Sequence, residues 1–233
     1  TIEYHNDRYY NQDDPEISDY EYDMMMKELK KIEKDHPEFV TPNSPTQHVG
    51  GSAKREAGVL VRHRVPMLSL QDVFSKEEVQ DFVKSMQETL VDPVFVVEYK
   101  IDGLSMALRY ENGLLTTAIT RGDGIIQGED VTVNAKVIKD VKNKLKEPIE
   151  YLEVRGEVYM TNEAFDKVNE IQELNNKKTF ANPRNCAAGT LRQLDSRITK
   201  QRNLSMFIFN IQDIRGKEIT SHSQGYEYLK IQG

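Results

Sequence analysis

The chain has 233 residues, 38% hydrophobic and 30% charged, enough for one large domain with a small appendage and ordinary for a globular protein. A net charge of -7 argues against a surface whose main task is to neutralise duplex phosphates, and a single cysteine, Cys186, excludes an internal disulfide and any zinc site built from several thiolates. No window approaches the roughly 20 consecutive apolar residues of a spanning helix, and the N-terminus lacks a secretory pattern, so the chain reads as cytoplasmic with no membrane partner.

The first element is a short helix over residues 3–11. A second starts at Ser18, where Ser18 and Glu21 form a capping box, and carries apolar residues at Tyr22, Met25, Leu29 and Ile32 before His36-Pro37 ends it. Residues 39–66 follow, rich in proline and glycine and without a period, and read as a connection. A boundary near residue 50 then separates a helical appendage, 1–50, from a larger domain, 51–233. Ser75 and Glu78 open another capped, amphipathic helix with Val79, Phe82, Val83, Met86 and Leu90 on one face.

Strand signals come next. Residues 94–99 are a short β-rich run; Leu104, Met106, Leu108 and Tyr110 alternate with polar or small residues up to an Asn112-Gly113 hairpin signal, and 114–120 is the returning strand. Over 151–160 the alternation places Glu153, Arg155 and Glu157 on one face and Leu152, Val154 and Val158 on the other. A helix is expected over 162–175. Residues 204–211 are apolar on both parities, which predicts a strand buried on both sides. Hairpins and interspersed helices without regular βαβ alternation give an α+β fold: a small N-terminal helical subdomain, then a domain of mostly antiparallel sheets flanked by helices. The chain opens on Thr1 rather than Met and ends at Gly233 without a closing element, so both ends are expected to be boundaries within a longer protein.

Several residue groups carry possible chemistry. In Glu98-Tyr99-Lys100-Ile101-Asp102-Gly103, the charges at 98, 100 and 102 share one parity. That pattern fits an edge strand with its charges in solvent. It also fits a site that uses the lysine, because ions withdrawn from water must be paired. Asp19, Tyr22 and Asp23 lie at i, i+3 and i+4 of the Ser18 helix and form one patch, either as dipole partners of the first turn or as a binding surface. Arg184 and Arg192 flank Ala187-Ala188-Gly189 and suit a solvated helix face, a salt bridge or phosphate oxygens. Phe209 is either a core aromatic or a ring offered to a ligand.

Lys100-x-Asp102-Gly103 is followed in order by Thr120-Arg121-Gly122-Asp123-Gly124, Val154-Arg155-Gly156-Glu157, Phe180-Ala181-Asn182-Pro183-Arg184-Asn185 and Leu191-Arg192-Gln193-Leu194-Asp195. Five ordered motifs are not a chance agreement. Together they closely resemble the adenylation (nucleotidyltransferase) domain of bacterial NAD-dependent DNA ligases, over nearly the whole chain. In the appendage, Tyr9-Tyr10, Asp14 to Asp19 and Glu21-Tyr22-Asp23 resemble that family's nicotinamide-mononucleotide (NMN) cap, which ATP-dependent ligases lack.

The resemblance implies that Lys100 attacks the α-phosphorus of NAD, releasing NMN and leaving ligase-AMP, whose AMP later passes to the 5′-phosphate of nicked duplex DNA for sealing in replication and repair. It implies that Glu98 contacts the adenine, with Ile101 beside it, and that Arg121 and Glu157 hold the ribose and phosphate region. Ser69 and Leu70 match another stretch of the nucleotide pocket, and Phe209 the ring against adenine. Tyr9, Tyr10, Asp19, Tyr22 and Asp23 would receive the nicotinamide half, and Arg184 and Arg192 would face phosphates and DNA. Mg²⁺ is implied as cofactor and a monomer as the state, with no metal ligand assigned here and zinc confined to parts of the longer protein. Attack needs the neutral amine, and a free lysine with a pKa of about 10.4 holds only roughly one in a few thousand molecules in that form at pH 7.

Two departures stand out: some members have histidine where this chain has Tyr10, and residues 122–130 form a loop one residue longer than usual. The family's later motifs, including a second essential lysine, would fall after Gly233, so this chain by itself is expected to be incomplete for catalysis. Two alternatives share parts of the pattern: an ATP- or GTP-dependent ligase or capping nucleotidyltransferase, and a non-catalytic nucleic-acid-binding module.

Overall fold

A computed structural model describes residues 1–8, 15–41, 44–46 and 59–233. Helix α1 spans Ile2–Asn6 and the chain stays helical through residues 7–8, while residues 9–11 of the helix expected over 3–11 lie outside the described residues; α2 spans Asp19–Asp35. The Ser18 capping box is present in full. The Ser18 hydroxyl accepts from the Glu21 N–H, and the Glu21 carboxylate accepts from the Ser18 N–H at 2.8 Å, so two otherwise orphaned N–H groups are satisfied. His36 caps the other end and a 3-10 turn, Pro37–Phe39, follows, as the His-Pro pair predicts. Ser44 and Thr46 both donate to the Glu33 carboxylate and tie the outgoing chain back to α2.

The connecting segment is not wholly irregular: β1, Leu60–Arg62, lies within it. Helix α3, Lys76–Thr89, is capped by the Ser75 hydroxyl. Its Glu78 reaches one residue further back than a capping box predicts, accepting from the Phe74 N–H at 2.6 Å. None of α3 is buried, and its Phe82 ring meets Phe95 edge-on at 6.3 Å.

Residues 94–99 do not form the strand expected of them. A strand exists only where a neighbour supplies ladder hydrogen bonds, and no described strand pairs with this run; the next strand, β2 (Leu104–Glu111), pairs with β3 (Leu114–Thr120) and, as the chain continues, β5 (Tyr151–Tyr159). Val94, Val97 and Tyr99 are each more than 90% exposed as a result. The β2–β3 hairpin is as predicted. Asn112 and Gly113 take φ of +52° and +77°, the positive pair that a two-residue hairpin turn requires.

Short β4, Gln127–Glu129, pairs antiparallel with β1. Helix α4, Thr132–Ala135, leads into β5, then α5 (Asn162–Leu174), α6 (Pro183–Leu191), α7 (Ser196–Gln201), β6 (Ser205–Arg215) and α8 (His222–Gln232). The main sheet has the order β3-β2-β5-β6, antiparallel throughout, which confirms the α+β class. One face carries Met106, Leu108, Leu152, Val154 and Val158 into the core with Ala135, Ile138, Ala164, Val168, Cys186, Ala187 and Leu191 from the helices and the segment after α4. Cys186 is a fully buried thiol, pushed up to about 11 by burial.

Strand β6 departs from expectation. It is an edge strand, half-buried for most of its length, with register shifts against β5 on either side of its pairing of Ile211 with Val154. Its apolar run on both parities is met by α8 on one side rather than by a further strand on each.

Candidate active site

The opposite face of the sheet is polar, because β2 and β5 pair in a register that sets Ser105 across from Glu157, Ala107 from Arg155 and Arg109 from Glu153. Farthest from the site motifs, Arg109 Nε donates to Glu153 Oε2 at 2.8 Å with both side chains buried, and the Tyr151 hydroxyl donates to the same oxygen at 2.5 Å. Glu153 Oε1 has no hydrogen-bond partner among the described residues.

Glu157 is half-buried. Burial raises its carboxyl above the ordinary glutamate value, and donation from Ser105 at 2.8 Å and the charges of Arg184, Lys100 and Arg155 only partly oppose that. Arg155 donates to the Leu68 carbonyl at 2.8 Å and stands over the Phe209 ring at 5.4 Å. Burial, and then the neighbouring Arg121 charge, lower its guanidinium from the usual arginine value. Arg121 follows β3 and donates to the Ser69 hydroxyl at 2.5 Å, while its backbone N–H donates to the Ser105 carbonyl at 3.1 Å. Residues 67–69 are thereby laid across two arginines, and the Met67 N–H fixes them to the Gly124 carbonyl at 2.7 Å. Leu70 beyond them is exposed.

The loop at 122–127 closes on Asp123, whose Oδ1 accepts from the N–H groups of Ile125, Ile126 and Gln127. Burial pushes the Asp123 carboxyl up, but these three donors outweigh it and its net shift is downward. Gly122, with φ of +54°, has no room for a side chain: a Cβ would stand 2.2 Å from the Gln127 carbonyl oxygen.

Lys100 is exposed, as the reading with its charges in solvent expects, but on a segment that pairs with no strand among those described. Its segment is held by side chains: Phe95 against Phe82, Glu98 against α8, and Asp102 to Arg184 at 3.5 Å. Gly103 then presses on β5 so closely that a Cβ would lie 2.0 Å from the Val158 carbonyl oxygen. Ile101 is half-buried between these anchors. Glu98 Oε1 lies 2.8 Å from His222 Nε2, and its carboxylate faces the Tyr226 hydroxyl, which donates to the Phe209 carbonyl at 3.3 Å. Burial raises Glu98, yet the Tyr226 and His222 hydrogen bonds prevail and lower it overall.

The structure therefore gathers Lys100, Glu157, Arg155 and Arg184 electrostatically, with Arg121, Ser69 and Phe209 around Arg155. Phe209 lies between the residues of β6 paired with Gly156 and Arg155, and its ring meets Arg155 rather than joining the core cluster. Arg192 is on the outside, its Nε 3.0 Å from Glu129 Oε2. In the appendage Tyr22 donates to Asn6 Oδ1 at 2.5 Å and Asp23 is exposed; Asp19 is the first residue of α2, and Tyr9 and Tyr10 lie outside the described residues. Helix α2 meets the rest of the chain through Lys27, 3.2 Å from Glu78 and 4.3 Å above the Phe74 ring. Sequence reading missed Ser105, the role of Arg155, and His222 with Tyr226. The Ser221-x-x-Gln224 spacing, a helix-start signal, was available to mark α8.

An antiparallel α+β sheet with a Lys-x-Asp-Gly segment against its polar face is the arrangement of a nucleotidyltransferase domain. The model of the NAD-dependent DNA ligase adenylation domain matches residues 58–233, and that of the DNA ligase-like, N-terminal NAD+-binding domain matches residues 1–50. The chain belongs to the NAD-dependent DNA ligase adenylation domain family. It is 56% identical over 232 residues to a DNA ligase of Clostridium kluyveri, covering all of this chain and 35% of that protein. It is 53% identical over 234 residues to a DNA ligase of Caldicellulosiruptor saccharolyticus and 49% identical over 234 residues to one of Clostridioides difficile, each time over all of this chain and 34% of the relative. The chain thus spans about a third of the length of the curated relatives it matches. No described helix is long and apolar enough to cross a membrane.

Proposed function

We propose that this chain is the AMP-accepting part of an NAD-dependent DNA ligase, with Lys100 as nucleophile. The observation that carries the reading is the grouping of Lys100 with a half-buried carboxylate, Glu157, that Arg155 and Arg184 also face and that Ser105 holds on the polar side of the sheet. The neutral Lys100 amine attacks the α-phosphorus of NAD. An N–P bond forms, the P–O bond to NMN breaks, NMN leaves with its phosphate, and the amine gives up its proton to solvent. Catalysis here is alignment and charge stabilisation: Arg121, Arg155 and Arg184 face the phosphates, Glu157 the ribose region, and Glu98, Ile101, Ser69, Leu70 and Phe209 the adenosine. The full-length protein would then pass AMP to the 5′-phosphate of nicked duplex DNA.

The reading divides the chain at residue 50 into an NMN-binding cap, with Tyr9, Tyr10, Asp19, Tyr22 and Asp23 on the departing half of NAD, and an adenylation domain. The two family matches, ending at 50 and starting at 58, support that division. Arg184 serves phosphate from inside the site and Arg192 serves DNA from outside it. Mg²⁺ belongs to the reading as a cofactor, and no step here runs through it. The setting is the cytoplasm, and the protein acts as a monomer.

The test is release of NMN and sealing of a nicked duplex by the full-length protein supplied with NAD, ATP or GTP. NAD alone should support both, and Asp19→Ala or Tyr22→Ala should reduce NMN release at least tenfold. Equal activity with ATP, or undiminished use of NAD by both cap variants, contradicts the reading. Salt-sensitive DNA binding without NMN release would mark a binding module instead.

A further inference from the structure

The segment carrying Lys100 has no ladder to place it, so its side-chain anchors decide where its functional groups point. Of these anchors, the one at Glu98 is built from a single helix turn. His222 and Tyr226 are i and i+4 on α8, on one face of the helix, with ring centroids 4.8 Å apart and an edge-on angle of 71°. His222 Nε2 lies 2.8 Å from Glu98 Oε1. The Tyr226 hydroxyl donates to the Phe209 backbone carbonyl at 3.3 Å and faces the same carboxylate. One turn of α8 therefore touches both residues assigned to the adenine.

The helix is itself firmly seated. Gly225 and Tyr228 are buried, and at its far end Gln232 donates to the Tyr228 hydroxyl at 2.7 Å and accepts from the Glu147 N–H at 3.0 Å. A carboxylate held by the His222 ring N–H is an acceptor with further lone pairs to offer. It suits the exocyclic amine of a 6-aminopurine and opposes the oxygen of a 6-oxopurine, whose carbonyl would face another acceptor.

We infer that His222 and Tyr226 are positioning residues for base selection: they hold Glu98 beside Phe209 as a fixed acceptor, and so make the site prefer NAD over its hypoxanthine analogue. The inference rests on the assignment of Glu98 to the adenine made above. It extends the site to a helix whose residues take no part in the transfer itself.

The test measures Lys100 adenylylation by the full-length protein with NAD and with nicotinamide hypoxanthine dinucleotide, as the ratio of the two kcat/KM values. His222→Ala and Tyr226→Phe should each lower that ratio about tenfold, the order of one lost charge-assisted hydrogen bond. His222→Gln, which keeps an N–H donor, should restore most of it. Equal losses with both dinucleotides would show only a structural tether and overturn the inference, as would an unchanged ratio in both variants. Glu98→Gln separates the two levels. If it flattens the ratio while the α8 variants do not, the adenine assignment stands and the positioning role fails; if the ratio ignores Glu98→Gln, the assignment itself fails.

Discussion

Arg155 and Glu157 are carried by β5, hydrogen-bonded on both sides by β2 and β6, whereas Lys100 is carried by residues that pair with no strand among those described. On β5 the charges are placed by backbone ladders and inherit the rigidity of the sheet. Around Lys100, placement falls to Phe95, Glu98, Asp102 and the close seat of Gly103. The groups proposed to meet the phosphates and ribose are thus fixed before ligand arrives. The nucleophile is held two residues to either side by carboxylates that end on different helices, α8 and α6.

The comparison breaks most visibly if the sheet's polar face is not what holds the frame. Removing one partner of a buried pair leaves the other charge uncompensated. Arg109→Leu or Glu153→Leu should therefore cost about 3–5 kcal/mol in urea unfolding, and a loss under 1 kcal/mol would show that this face is more hydrated than it looks. On the other side of the comparison, Gly103→Ala forces a Cβ into the Val158 carbonyl and must shift the segment that carries Lys100. Displacement by an ångström costs roughly 100-fold in rate, so ligase-AMP formation should fall by about that factor while the melting temperature changes little. Arg184→Ala releases Asp102 from its 3.5 Å partner and removes one cation from Glu157. Its expected effect is about a tenfold rise in the KM for NAD, read from initial rates.

The smallest effect sharpens the contrast between stability and use. Burial holds the Glu157 carboxyl above the ordinary glutamate range in the folded protein, so its contribution to stability is present below that range and is lost as pH rises through the raised value. Above the raised value its ionised form is a cost of folding. Glu157→Gln should raise the melting temperature by about 2 °C at pH 7 and not below the carboxylate range, while abolishing AMP transfer. A variant less stable than the parent at pH 7 contradicts the assignment.

Much of the site was legible because its motifs are local. Lys100 to Gly103, Arg121 to Gly124 and Arg155 to Glu157 are the short runs that carry the family resemblance, and the alternation over β5 placed Glu153, Arg155 and Glu157 on one face, as found. The capped helices and the Asn112-Gly113 turn were legible for the same reason. What failed was non-local. Val94, Val96 and Val97 have strand character, but whether they form a strand depends on a partner far away in the chain, and here β2 is already paired on both edges. Phe207 and Ile208 likewise do not reveal that β6 is an edge. His222 and Tyr226 follow Glu98 by more than a hundred residues, and no spacing rule joins them.

The central claim is that the reactive amine belongs to Lys100. Incubating the full-length protein with NAD and Mg²⁺, digesting it and mapping AMP-bearing peptides by mass spectrometry tests that directly. The account predicts one AMP adduct, on Lys100, absent in Lys100→Arg; an adduct on another residue, or one that persists in that variant, would contradict it.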